Sequence, residues 1–388
     1  MDSFVKRMLD VSFSETMKIS KLASNMEDEG KDIISLAVGE PDFDTPDFII
    51  EAAYEAMKEG FTHYTQSQGI PELREAIAKK IRTENDLDFS SENILVTPTK
   101  QAIFMSVLAH LDDGSEVILS DPAWVSYEPI VKFADGIVRR APFDEKDFSI
   151  DPDVLQDNLT SRTKMILLNS PNNPTGKTLD KEDMKAIRDI AIDNDLLVLT
   201  DEVYEKLVFE GEHISIGSLD GMRERTITVS GFSKAYAMTG WRLGWAACVE
   251  DLLENIAKIQ THSITCATSF AQKAGLRALT NEEKAEESID FMMSKYRKRR
   301  ELIVDRLNEI EGFRCSKPNS TFYTFPEYEF DMDSMDLSMH LLKEAKVATT
   351  PGLAFGDQGE GHLRLSFANS LENIKEAMDR IERAVEKL

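Results

Sequence analysis

A chain of 388 residues is longer than one hydrophobic core of ordinary size serves, so two compact units are expected. Hydrophobic residues make up 41% and charged residues 30%, and no apolar run approaches the ~20 residues of a bilayer span. That balance excludes a disordered chain and a helical membrane protein, and a formal net charge of −25 argues against nucleic-acid backbones and anionic lipids as partners.

The first fourteen residues mix Asp2, Lys6, Arg7 and Asp10 with apolar residues and lack the charged-then-apolar layout of a signal peptide, so a cytoplasmic enzyme is expected. Gly39-Glu40-Pro41-Asp42 marks a turn before a large domain begins. Residues 71–85 read as a helix, with Pro71 near its start and Leu73, Ile77 and Ile81 on one face. Residues 99–111 carry Ile103, Val107, Leu108 and Leu111 in a similar stripe. Four short apolar runs, at 116–119, 165–168, 196–199 and 226–229, are candidate strands buried on both faces. Strands alternating with helices imply an α/β fold built on a mostly parallel sheet. Residues 282–307 form a long charged helix pattern, with Ile289, Met292, Tyr296, Ile303 and Leu307 as its apolar positions. Its basic cluster, Lys295 to Arg300, reads as a solvated or ion-paired face rather than an anion site. Strand-like pieces at 321–325 and 362–367 and an amphipathic helix from Leu371 onward make a smaller α+β unit. The expected division is 1–44, packing with the small domain, 45–283 as the large domain, and 284–388 as the small C-terminal domain. Cys248, Cys266 and Cys315 are odd in number and form no CxxC pair, and the six histidines make no HExxH, so neither disulfides nor a metal are expected.

In open α/β sheets, ligands sit beyond the carboxyl ends of the strands. Here the four runs are followed by Asp121-Pro122-Ala123-Trp124, by residues 169–176 (Asn-Ser-Pro-Asn-Asn-Pro-Thr-Gly), by Asp201-Glu202-Val203-Tyr204 and by Ser230-Gly231-Phe232-Ser233-Lys234. A single lysine is ordinarily a surface residue, and a single Asp after a strand is often a helix cap. Four such strand ends in succession suggest one shared ligand.

The stretch from Gly231 to Gly244 (Gly-Phe-Ser-Lys-Ala-Tyr-Ala-Met-Thr-Gly-Trp-Arg-Leu-Gly) resembles the lysine signature of the class I and II aminotransferases of pyridoxal-phosphate (PLP) fold type I. Asn172-Asn173-Pro174-Thr175-Gly176 and Gly39-Glu40-Pro41-Asp42 extend the resemblance, in the expected order, over essentially the whole chain. The resemblance implies pyridoxal 5′-phosphate as cofactor and Lys234 as the residue that forms an imine with its aldehyde and then moves the substrate Cα proton. It implies that Asp201 faces the pyridine nitrogen, that Asn173 and Tyr204 meet the ring hydroxyl oxygen, and that Trp124 stacks on the ring. Arg242, Ser233, Thr99 and Lys100 fall where the family holds the phosphate, and Tyr64 matches a tyrosine that reaches the phosphate of a neighbouring subunit, which implies a homodimer. Arg364 matches the arginine that clamps the substrate α-carboxylate, with Gly39 closing over it.

Three departures are visible. The phosphate loop reads Thr97-Pro98-Thr99-Lys100, where many relatives have glycines. Position 231 is Gly where some have a phosphate-binding Ser, and the wall segment 319–323 lacks the Gly that relatives often carry. For the substrate, Lys100 matches a lysine that in one aspartate-active branch approaches a distal carboxylate, and Ser14 and Thr16 match hydroxyl residues near that end. L-Aspartate as donor and 2-oxoglutarate as acceptor are therefore expected. An aromatic or broad-specificity aminotransferase, and a carbon–sulfur lyase, are the alternatives, since one fold hosts both chemistries. A DNA-binding regulator is disfavoured by the acidic charge and by the roughly forty residues preceding Gly39.

Overall fold

The computed structural model describes residues 8, 11, 15–144, 146–386 and 388. Helix α1 (Glu15–Asp28) and strand β1 (Ile34–Ser35) lead into α2 (Asp47–Lys58) and α3 (Pro71–Glu84). The middle of the chain runs β2 (Ile94–Val96), α4 (Thr99–His110), β3 (Glu116–Asp121), α5 (Tyr127–Phe133), β4 (Ile137–Pro142), α6 (Pro152–Asp157), β5 (Thr163–Asn169), α7 (Lys181–Asp193), β6 (Leu197–Asp201), β7 (Thr226–Gly231) and β8 (Gly244–Ala247). Helices α8 (Glu250–Ser263), α9 (Ser269–Thr280) and the long α10 (Glu282–Glu309) come next. The remainder comprises β9 (Phe313–Arg314), β10 (Tyr323–Thr324), β11 (Glu327–Tyr328), α11 (Ser334–His340), β12 (Val347–Ala348), β13 (Thr350–Pro351), β14 (Leu363–Ser366) and α12 (Leu371–Val385).

Seven strands form one sheet in the order β2-β8-β7-β6-β5-β3-β4. Strands β3 to β7 pair in parallel, and β8 runs antiparallel to both of its neighbours. Alternate residues of each strand enter different cores, as a two-residue repeat requires. Val117, Leu119, Met165 and Leu167 pack on one face, and Ile118, Ile166, Leu168 and Val198 on the other. Both faces are covered, which is why these strands read as unbroken apolar runs. Strands β2, β4 and β8 escape that signal. Two are short, β8 is made of small residues around one Trp (Gly-Trp-Ala-Ala), and β4 is an edge strand containing Arg139 and Arg140.

Helix α3 begins with Pro71 at its first turn and buries Leu73, Ile77 and Ile81. Helix α4 differs from the expected stripe: Ile103 and Val107 are buried, but Leu108 is exposed. It is wedged between sheet, α5 and α8, so Ala102, Met105 and Ser106 are buried as well and the apolar face is broad.

A second layer is built from both ends of the chain. Strand β1 pairs in parallel with β12, and β14 lies between β10 and β13. Ile34 and Leu36 share a core with Met292, Tyr296, Ile303 and Leu307 of α10 and with Ile374 and Ile381 of α12. The strand expected over 321–325 is confined to Tyr323–Thr324, because Thr321 has a left-handed φ of 61° that interrupts pairing. Within the basic cluster of α10, Arg299 grips Asp42 through two bonds of 2.7 and 2.8 Å, and Arg300 binds the Pro318 carbonyl and Glu210 at 2.9 Å each. These residues are structural ion-pair partners and tie the Gly39–Asp42 turn to the long helix.

Candidate active site

Because β8 runs opposite to β7, the chain leaves β7 at Gly231, loops through residues 232–243 and re-enters beside it at Gly244. This reversal sets Lys234 and Arg242 at the same end of the sheet as Asp121, Asn169 and Asp201, the last residues of β3, β5 and β6. A cavity of about 410 Å³ opens there. Its lining includes Gly39, Thr99, Lys100, Trp124, Asn173, Asp201, Tyr204, Ser233, Lys234, Arg242 and Arg364. Of the expected site residues, Tyr64 is not among the lining and is 85% exposed. Thr16 belongs to α1, but its side chain lies outside the described part of the structure, and Ser14 lies outside the described residues.

The electrostatics suit a nucleophilic amine and a buried carboxylate. Burial lowers the Lys234 pKa to about 8, so a useful fraction of the amine is neutral near pH 7, and its Nζ donates to the Gly39 carbonyl at 2.6 Å. Burial raises Asp201 to about 6, partly opposed by a hydrogen bond from Tyr127. Tyr127 Oη donates to Asp201 Oδ2 at 3.0 Å, and the Val203 N–H donates to Oδ1 at 3.2 Å. The Tyr127 ring also packs edge-on against Trp124, with centroids 5.1 Å apart. Sequence reasoning assigned Tyr127 no role; its position three residues after Trp124 was the available signal.

Arg364 is buried and lines the cavity. Its guanidinium lies between the rings of Tyr323 and Phe355, at 4.5 and 5.0 Å, and donates to Asn173 Oδ1, the Ala37 carbonyl and Thr350 Oγ1. Its guanidinium lines the cavity, where the planar fork suits a carboxylate. Asn173 is held from behind by Asn169, whose Oδ1 accepts the Asn173 N–H at 2.9 Å. With Oδ1 of Asn173 occupied by Arg364, its side-chain NH2 is the group left for a ligand.

The opposite functional need, an anion cradle, is met at the start of α4. That helix has Pro98 as its N-cap, no side-chain cap and no acidic residue in its first turn. Its leading N–H groups and dipole are therefore available to an anion. The loop departures have a steric explanation. A Cβ on Gly231 or on Gly244 would lie 2.3 Å from Thr99 Oγ1, so Thr99 occupies the space that a serine at 231 would need. The Thr99 hydroxyl donates to the Ser230 carbonyl at 3.2 Å, locking α4 against β7. Lys100 sits 4.5 Å over the Trp124 ring and 3.2 Å from Ser126 Oγ. The residue as a whole is exposed, yet desolvation at its ammonium end, with the Arg242 charge, lowers its pKa.

Behind the strand ends lies a buried polar cluster of Glu202, Glu205 and His213. Its charges are already answered: Lys80 pairs with Glu205, Asn85 and Ser230 donate to Glu205 at 2.7 and 3.0 Å, and Ser215 donates to Glu202 at 2.9 Å. Burial pushes Glu205 up, but Lys80, His213 and Asn85 together outweigh it and hold the carboxyl at about 2.

A buried carboxylate, a lysine whose pKa burial lowers to about 8, an aromatic wall, an uncapped helix start and the Arg242 guanidinium line one cavity and fit pyridoxal phosphate. The family model described as "Aminotransferase class I and II" matches residues 31–381. An aspartate aminotransferase from Pyrococcus abyssi is 44% identical over 97% of this chain and 96% of its own. An aromatic-amino-acid aminotransferase 2 from Thermococcus litoralis is 42% identical over 98% of both. The solved structure of aspartate aminotransferase from Thermus thermophilus with maleate superposes with a TM-score of 0.95 at 39% identity, over 99% of this chain and 100% of that one. The chain belongs to the class I and II aminotransferases. It has their fold type I architecture, and pyridoxal phosphate is its cofactor.

Proposed function

We propose that the protein is an aspartate aminotransferase, which moves the amino group of L-aspartate to 2-oxoglutarate and yields oxaloacetate and glutamate. The observation that carries this reading is charge: Lys100, Lys234, Arg242 and Arg364 line one cavity, against the carboxylates of Asp201 and Glu40. A phosphate, an α-carboxylate and a distal carboxylate each find a cation there. The names of the relatives support the same choice, and the Thermus structure was solved with a dicarboxylate.

Pyridoxal phosphate, when bound, supplies an aldehyde for the amino group and a ring that accepts the electron pair released at the substrate Cα. Tyr127 keeps the Asp201 carboxylate oriented, and Asp201 would keep the ring nitrogen protonated. Arg364 fixes the plane of the α-carboxylate and so the direction of the Cα–H bond. The Lys234 amine takes the Cα proton and holds it for return, which the lowered pKa of this amine suits. With the cofactor bound, Tyr204 and the Asn173 amide would hold the ring oxygen and Trp124 would pack against the ring. The start of α4, with Thr99, Ser233 and Arg242, would hold the phosphate, while Gly39 would close over the substrate and Lys100 would meet its distal carboxylate; the resemblance assigns Thr16 to the same end. We read 1–44 and 284–388 as the small domain and 45–283 as the large one. We also place the enzyme in the cytoplasm as a homodimer, in which Tyr64 serves the neighbouring site; its 85% exposure within one chain supports this. A second reading, aromatic amino acids as further donors, is favoured by Val38, Ile103 and Val125 in the lining of the same cavity.

The test is a single turnover. Cofactor-loaded protein mixed with L-aspartate and no oxo acid is expected to release about one equivalent of oxaloacetate per subunit, and Lys234→Ala is expected to release none. Faster release of a 2-oxo acid from phenylalanine would favour the second reading. Pyruvate and ammonia from cystathionine, with no keto product from aspartate, would make the enzyme a lyase.

A further inference from the structure

Tyr323 touches both halves of the cavity. Its hydroxyl lies 2.9 Å from Tyr204 Oη, and its ring face lies 4.5 Å from Arg364 Cζ. Its Oη also sits 2.4 Å from where a Cβ on Gly39 would be, so the Gly39 backbone closes directly on it. The same Gly39 offers its carbonyl to Lys234. Tyr323 is 1% exposed, and the charged and titratable groups about it include Arg364, Tyr204, Glu40 and Tyr296.

The backbone is strained to put it there. Thr321, β-branched and fully buried, holds φ at 61°, a conformation such a residue rarely adopts. In that conformation Thr321 Oγ1 accepts the Tyr323 N–H at 3.2 Å, and the Thr321 N–H donates to the Leu207 carbonyl at 2.7 Å. Strain of this kind persists where the surroundings over-determine it.

A phenol has one proton to donate and lone pairs to accept with. If the Tyr204 proton goes to the ring oxygen of the cofactor, the proton in the Tyr204–Tyr323 bond comes from Tyr323. We propose that Tyr323 is a positioning residue: its hydroxyl, donating to Tyr204, fixes the direction of the Tyr204 proton, and its ring holds Arg364, so that the carboxylate clamp and the cofactor's hydrogen bonding share one side chain. Burial raises both phenols above their ordinary range, so both keep the protons this arrangement needs. The inference rests on the proposed role of Tyr204 at the ring oxygen.

The test compares holoenzyme of Tyr323→Phe, Tyr204→Phe and the double variant with wild type. Three quantities are read: the cofactor dissociation constant, the pH midpoint of the bound cofactor's visible absorbance, and kcat against KM for aspartate. Y323F keeps the ring under Arg364, so KM is expected within about twofold. Loss of the donor is expected to lower kcat about tenfold, the equivalent of one buried hydrogen bond, to weaken cofactor binding and to move the midpoint to higher pH. In the Y204F background, adding Y323F is expected to change none of the three. A side chain that merely fills space would leave the midpoint still. An unchanged midpoint and kcat in Y323F, with Y204F impaired, overturns the inference alone; an unimpaired Y204F overturns the Tyr204 reading and the inference with it. If Y323F does not fold, 3-fluorotyrosine at 323, which alters the hydroxyl and little else, must move the midpoint for the inference to stand.

Discussion

Asp201 and Lys234 are held inside one cavity with pKa values displaced toward neutrality, at about 6 and about 8. Both displacements are statements about stability. Asp201 has a folded pKa above its ordinary 3.8, so its contribution to stability is complete below pH 3.8 and is lost as pH rises through 6. Lys234 has a folded pKa below its ordinary 10.5, so its contribution is complete above that value and is lost as pH falls through 8. Near pH 7 the cofactor-free protein therefore carries both penalties, about 3 kcal/mol for Asp201 at most. Asp201→Asn is expected to melt several degrees above wild type without cofactor at pH 7.5, to converge with it at pH 4, and to lose transamination. Thermal scans across pH check the first two. Equal melting temperatures at pH 7.5 would mean that the carboxylate is not strained.

At the scale of elements, the site depends on segments distant in sequence. The Gly39 turn reaches Lys234 because Arg299, on α10, anchors Asp42 with a bidentate pair; Arg299 is 7% exposed. Removing one partner of such a pair leaves the other's charge uncompensated. Arg299→Ala is expected to cost about 2–4 kcal/mol in urea unfolding. It is also expected to raise KM for aspartate more than it lowers kcat, because it frees the turn that closes on the substrate. An unchanged KM would separate the ion pair from the site. Helix α4 illustrates the same dependence: its uncapped start is useful because Thr99 is clasped between Gly231 and Gly244.

The whole molecule carries a formal charge of −25, and charge of one sign repels itself. Raising potassium chloride from about 0.05 to about 1 M is expected to lift the melting temperature by about 5 °C, since the Debye length falls from more than about 10 Å to about 3 Å. A melting temperature independent of salt would show that the acidic surface is already neutralised by local pairing. For the proposed dimer, sedimentation velocity is expected to give twice the 43.8 kDa chain mass. Tyr64→Phe is expected to weaken cofactor binding without dissociating the dimer.

The sequence by itself determined the chemistry and the class of fold. Four buried strands end in Asp121, Asn169, Asp201 and the Gly231 turn, and a continuous apolar run that gives way to reactive residues is a local pattern that needs no partner to be seen. Lys234, Asp201, Tyr204, Asn173 and Trp124 were legible because each follows such a run, Arg242 and Arg364 were legible through the resemblance to the aminotransferase family, and the structure gathers all seven around one cavity. The tertiary structure decided what depends on groups far apart in the chain. Tyr127 acquires its role from Asp201, 74 positions away, and Tyr323 from Tyr204, 119 positions away. The antiparallel course of β8, the clasp of Thr99 by two glycines and the strained Thr321 leave no periodicity or composition to read. Local patterns record how a strand is buried and which residues leave its end; hydrogen bonds and charge pairs between distant segments exist once the chain has packed, and they set the pKa values and directions on which the reaction depends.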